Sequence, residues 1–180
     1  MRFAVQEVWS LAWPTILTMT SFTVMQFTDR LMVGQIGKVE IAAQGNAGTW
    51  AFAAIATIMG VVTVVNTFVS QHLGAEEPEK GSKYPWNAGW MALFCWGVII
   101  VPFIFIVPYV FHYINPNPTD AKLVELETMY ATYMLMGSLF LLVGRGFIQY
   151  FLGMHMPKII TVSTIIANIV NVVANYILIF

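Results

Sequence analysis

Apolar residues come in long unbroken runs along this chain and do not alternate with polar ones. A membrane-crossing helix needs about 20 mainly apolar residues. Five stretches meet that length, at residues 8–33, 45–70, 86–111, 126–152 and 159–180. The breaks between them hold the charges and the turn residues. They are 34–40, the strongly polar 74–81, the Asn/Pro-rich 115–120 and the short 154–158. Barrel strands alternate apolar and polar over about ten residues, and these runs are continuous over twice that. The pattern therefore predicts an all-α polytopic membrane helix bundle, with residues 1–180 as one unit.

Composition sharpens this reading. Charged residues are 9% of the 180, hydrophobic ones are 58%, and the formal charge is −1. A soluble domain carries roughly 25% charged residues, so this chain could not cover a water-facing surface. Near-neutrality removes the basic footprint of a nucleic-acid binder. The single cysteine, Cys95, excludes an internal disulfide and any Cys-rich metal centre. The N-terminus is not a cleaved signal, because Glu7 and Pro14 interrupt the apolar run and no small-residue cleavage site follows. Cationic residues near the span ends favour a cytoplasmic N-terminus, with Arg2, Lys80, Lys83, Arg145 and Lys158 inside against Arg30, Lys38 and Lys122 outside. The apolar end at 177–180, without a polar flank, reads as a fragment cut at a span end.

The informative residues are the polar ones inside the spans. A charged side chain at mid-bilayer costs at least about 2.5 kcal/mol on insertion scales, so it faces a cavity or a partner. Asp29 is the acidic residue that lies well inside a span. On a helical wheel it falls within about 80° of Thr15, Thr18 and Gln26, with Phe22 and Met25 on the same stripe. Pro14 lies below and permits a bend. Asp29 reads either as a cation-binding or protonatable carboxylate, or as a local ion-pair partner of Arg30 or a helix-end carboxylate in the headgroup layer. In the fifth span Thr161, Thr164, Asn168, Asn171 and Asn175 also share about 80°, as a polar cavity wall or as glue between helices. In the second span Thr63, Asn66 and Ser70 share a face. The small pairs Ala47/Ala51, Ala53/Thr57 and Ala56/Gly60 suggest close packing. The tryptophans fit an interfacial belt. The histidines are scattered, and no metal site is expected beyond a possible Na⁺ at Asp29. No hydrolase, zinc or nucleotide-binding motif is present. The expectation is a non-enzyme without cofactor, with the lipid bilayer as a partner.

Three runs carry a resemblance. Residues 29–37, Asp-Arg-Leu-Met-Val-Gly-Gln-Ile-Gly, followed by Ile41-Ala42-Ala43, resemble the end of helix one in multidrug and toxic compound extrusion (MATE) transporters. Val69-Ser70-Gln71-His72-Leu73-Gly74-Ala75 resembles the end of helix two, and residues 171–180 resemble helix five. Members of that family have two six-helix lobes around a central cavity. The resemblance therefore implies a partial N-terminal lobe, helices one to five, completed by C-terminal helices. It implies export of organic, often cationic, small molecules in exchange for Na⁺ or H⁺. Asp29 matches the coupling carboxylate, Pro14 the bend of helix one, and Asn171 an asparagine of the cation site. Asn175 stands where some members have Asp, which removes one carboxylate. Asn168 joins this coupling set from the wheel alone. Thr18, Phe22, Met25 and Gln26 would line the substrate cavity. Two rival readings are a lipid-linked-sugar flippase of related architecture, which would need a basic cavity, and a non-transporting subunit of a membrane complex.

Overall fold

A computed structural model describes residues 2–179. Phe180, the expected end of the fifth span, lies outside the described residues, as do the side chains of Arg2 and Glu7. The helices are α1 (Arg2–Ile36), α2 (Lys38–Gly74), α3 (Pro78–Gly81), α4 (Tyr84–Cys95), α5 (Val101–Ile114), α6 (Ala121–Gly153) and α7 (Pro157–Ile179). No strand occurs among the described residues. Helices α1, α2 and α6 and the α3–α5 run extend past both ends of the apolar stretches that predicted them, and α7 starts two residues before its own. Helices end where the backbone finds other hydrogen-bond partners, not where hydropathy falls.

Local chemistry sets those ends. Glu76 (φ 60°) and His155 (φ 57°) adopt the left-handed conformation just past α2 and α6. The next N–H in each case reaches back five residues. Glu77 donates to the His72 carbonyl and Met156 to the Phe151 carbonyl, both at 2.9 Å. This closure satisfies orphan carbonyls of the last turn. Pro78 and Pro157 then open the next helices, where a missing N–H costs nothing. Pro102 has the opposite effect, because it lies inside a rod. It has no N–H and crowds the carbonyl four residues back. The chain widens into a π turn at Trp96–Ile100, in which the Val101 N–H bonds the Trp96 carbonyl. The Trp96 indole N–H donates to the Leu135 carbonyl at 3.1 Å and fastens this irregular stretch to α6.

Among the described residues, four rods are long and apolar enough to cross a membrane: Lys38–Gly74, Pro78–Ile114 (α3 to α5 as one rod), Ala121–Gly153 and Pro157–Ile179. The protein is thus an integral multi-pass membrane protein. Helix α1 has 35 residues and would reach about 50 Å. The threonines, Gln26 and Asp29 dilute its hydropathy.

The core lies between α2, α4–α5 and α6. Ile55, Ile58, Val62, Val65 and Val69 of α2 meet Ala88, Ala92, Ile100 and Phe111 of the Pro78–Ile114 rod and Ala131, Leu135 and Leu142 of α6. Small residues let the backbones approach. Ala43, Ala47 and Ala51, one turn apart, are all buried. The expected pair Ala53/Thr57 is instead exposed, and Gly60 is too, because their face of α2 turns away from α6. Asn66 and Ser70 act as packing polar groups, with the Ser70 hydroxyl on Asn66 Oδ1 (3.2 Å) and near the Gly153 carbonyl (3.4 Å). Helices α1 and α7 pair mainly with each other and touch α2 and α6 lightly.

Two predictions follow from this packing. A methyl group at Gly153 would sit 2.8 Å from Val69 Cβ and 2.9 Å from the Asn66 carbonyl oxygen. Gly153→Ala should therefore destabilise the bundle by about 1–3 kcal/mol, read as a lower unfolding midpoint in detergent. At the Gly37 end, Lys122 Nζ lies 2.7 Å from Glu40 Oε1 and ties α6 to α2. The Lys122 hydrogen bond holds the Glu40 carboxyl below its usual value of 4.5. A depressed folded-state value means that the contribution is present above that value and is lost as pH falls through the lower one. The midpoint difference between wild type and Glu40→Gln should be present at neutral pH and disappear as acidification protonates the Glu40 carboxyl.

Candidate functional site

The polar stripes of α1 and α7 meet. Neither can be left to hydrocarbon, where an unpaired polar group finds no partner. They form rungs with a nearly constant residue offset. At the first rung Thr18 Oγ1 donates to the Pro14 carbonyl at 2.8 Å, and Thr161 Oγ1 lies 3.1 Å from that carbonyl and 3.0 Å from Thr18. At the second, Asn168 Nδ2 donates to Ser21 Oγ at 2.7 Å. At the third, Asn175 Nδ2 donates to Asp29 Oδ1 at 2.8 Å and to Asn171 Oδ1 at 3.2 Å. The separations are 147, 147 and 146 residues for Pro14–Thr161, Ser21–Asn168 and Asp29–Asn175. A constant offset means that the two helices run parallel and in register. The α7 members recur every seven residues, the spacing at which one helix keeps the same face toward a parallel neighbour.

This geometry sorts the expected site residues. Asp29, Asn171 and Asn175 come together. Asn168 sits one rung away, about 10 Å along the axis, because a wheel gives angle and not height. Thr18 belongs to the first rung, where Pro14 is buried against α7. Phe22 and Gln26 are exposed and Met25 is half-buried. The Arg30 pairing is not formed. The ion pairs among the described residues are His72–Glu77, Lys80–Glu77 and Lys122–Glu40, and the Asp29 carboxylate bonds to α7 instead.

A second polar cluster escaped the sequence reading. Glu127 of α6 has no exposed surface. Asn46 Nδ2 of α2 donates to its Oε1 at 2.7 Å, and Asn115 Nδ2, just past α5, donates to its Oε2 at 3.0 Å. Beside it lies a cavity of ≈ 250 Å³ lined by Asn46, Thr49, Trp50, Phe111, Ile114, Asn115 and Glu127. None of Thr18, Phe22, Met25 or Gln26 lines it. Glu127 lies one residue inside the 126–152 apolar stretch, at an end where a charge is ordinarily wetted. The available signal was its face: Val124, Ala131, Leu135, Ser138 and Leu142, buried with it, lie on the same stripe of α6.

Chemically, both clusters offer oxygen donors around a single carboxylate, a set suited to a proton or a hard cation. No group of three or more His, Cys, Asp or Glu gathers among the described residues.

Comparison with known proteins agrees with the fold. The MatE family description matches residues 14–177. A protein of Chromobacterium violaceum named probable multidrug resistance protein NorM is 24% identical over 176 residues, covering 97% of this chain and 37% of that protein. Proteins with the same name from Neisseria meningitidis serogroup A and Agrobacterium fabrum are each 27% identical, covering 95% and 85% of the chain and 37% and 32% of their own lengths. The chain thus spans about a third of the length of these curated relatives. No solved structure matches it. A family match over residues 14–177, on an all-helical membrane bundle, places the chain in the MatE family.

Proposed function

We propose that this chain supplies the first five helices of a six-helix N-terminal lobe in a secondary multidrug efflux transporter, with α1 as the first span, α7 as the fifth and the N-terminus in the cytoplasm. The whole protein would exchange organic, often cationic, compounds for Na⁺ or H⁺ by alternating access, with no cofactor beyond the coupling ion. The observation that carries this reading is the Asn175–Asp29 hydrogen bond of 2.8 Å. It holds the carboxylate of α1 against the amides of α7 in a protein of this family. The relatives' name, multidrug resistance protein, supports the substrate class.

In this mechanism Asp29 is held by a neutral amide, so a proton or a Na⁺ ion can compete for its oxygens. Asn171 and Asn175 supply further oxygens when their amides turn. Occupancy would loosen the third rung, and α1 would bend at Pro14 and reshape the cavity lined by Thr18, Phe22, Met25 and Gln26. Coupling requires that ion and substrate favour different states. Asn175 in place of a second acid reduces the charge of the site, which suits a single monovalent ion.

Efflux driven by separately imposed Na⁺ and pH gradients tests this reading. Asp29→Asn should lower gradient-driven efflux by about tenfold or more, while passive leak stays unchanged. Undiminished transport at equal expression would remove Asp29 from the mechanism. The gradient that drives wild-type efflux identifies the coupling ion.

A further inference from the structure

The Glu127 cluster lies outside the α1–α7 interface and has its own chemistry. Its carboxylate is fully buried, and its two polar partners are neutral carboxamides. Neither of them compensates a negative charge, and an uncompensated buried charge is strongly unfavourable. The ion pairs among the described residues do not include it. The nearest cation in sequence on α6, Lys122, is engaged with Glu40. So three helices converge on a carboxylate whose counter-charge is not supplied by the residues that hold it.

The partners can change role without moving their backbones. A carboxamide turned through a half-rotation presents oxygen where it presented N–H. Asn46 and Asn115 would then add two oxygens to those of Glu127. Thr49 lines the same cavity, and its hydroxyl donates to the Gly45 carbonyl at 2.8 Å, which leaves its lone pairs free to face an ion. Asn46, Thr49 and Trp50 are exposed, so the cavity has an entry. Its ≈ 250 Å³ has room for an ion together with the waters that complete its shell. One carboxylate among neutral oxygens suits a monovalent hard cation. Ca²⁺ sites gather more oxygens, with more than one carboxylate.

We propose that Glu127, Asn46, Asn115 and Thr49 form a binding site for a monovalent alkali cation of the Na⁺ class, between α2, α5 and α6 and separate from the Asp29 rung. The ion neutralises the carboxylate and locks the three helices together at the Gly37 end.

The test is the unfolding midpoint of the purified protein during NaCl titration, with choline chloride holding ionic strength constant. The Asp29→Asn background isolates this cluster from the other carboxylate. Na⁺ should raise the midpoint in Asp29→Asn, and adding Glu127→Gln should abolish that shift. If Glu127→Gln does not fold, Thr49→Val serves instead, because it leaves both amide bonds to Glu127 in place. It should raise the half-saturating Na⁺ concentration by about tenfold. A midpoint indifferent to Na⁺ in Asp29→Asn would overturn the proposal. So would a Na⁺ response unchanged by Glu127→Gln or Thr49→Val, or a midpoint that follows pH and not Na⁺. A failure here leaves the Asp29 reading untouched, since that reading is measured as transport.

Discussion

Hydrocarbon offers no hydrogen-bond partner, and this single constraint arranges the polar side chains of the bundle. Each one placed inside a span must find its complement on its own helix or a neighbour. Short hydroxyls solve this locally, as Thr23, Thr28 and Thr63 do by bonding the carbonyl four residues back. Longer or charged groups reach across. Asp29 is met by Asn175, Asn168 meets Ser21, and Glu127 is met by Asn46 and Asn115. The helix pairs that carry these bonds are therefore specified by polar chemistry as well as by shape.

The two halves of the structure use different forces. Helices α2, α4–α5 and α6 are held by interlocking small and branched residues, with Gly153 seated against Val69. Helices α1 and α7 rely on rungs of hydroxyls and amides, and Thr161 is the one buried α7 residue among those described. Close-packed contacts have one geometry. Polar rungs can exchange a partner for water or an ion, so the α1–α7 contact depends on its surroundings in a way that the close-packed core does not.

Much of this was legible in the sequence, and the failures have physical reasons. Unbroken apolar runs marked the helices and their order. The stripes holding Asp29 and Asn175 were visible because side-chain direction repeats every 3.6 residues. Their register was not, because the height of one helix against another depends on the intervening rods. That is why Asn168 was grouped with Asp29 and belongs instead to Ser21. Glu127 was overlooked because hydropathy treats a charge near a span end as wetted. Its face on α6, shared with Ala131 and Leu135, pointed inward. The small pair Ala53/Thr57 misled because small residues favour close packing without naming the face that packs.

The central claim is that the Asp29 carboxylate and the Asn175 amide interact directly across α1 and α7. A double-mutant cycle on unfolding in a bilayer-like detergent, using Asp29→Ala, Asn175→Ala and the pair, measures that interaction alone. The account predicts a coupling energy of about 0.6–1.7 kcal/mol, the range of interhelical hydrogen bonds in membranes. Strictly additive effects would mean that the two side chains do not meet, and would contradict it.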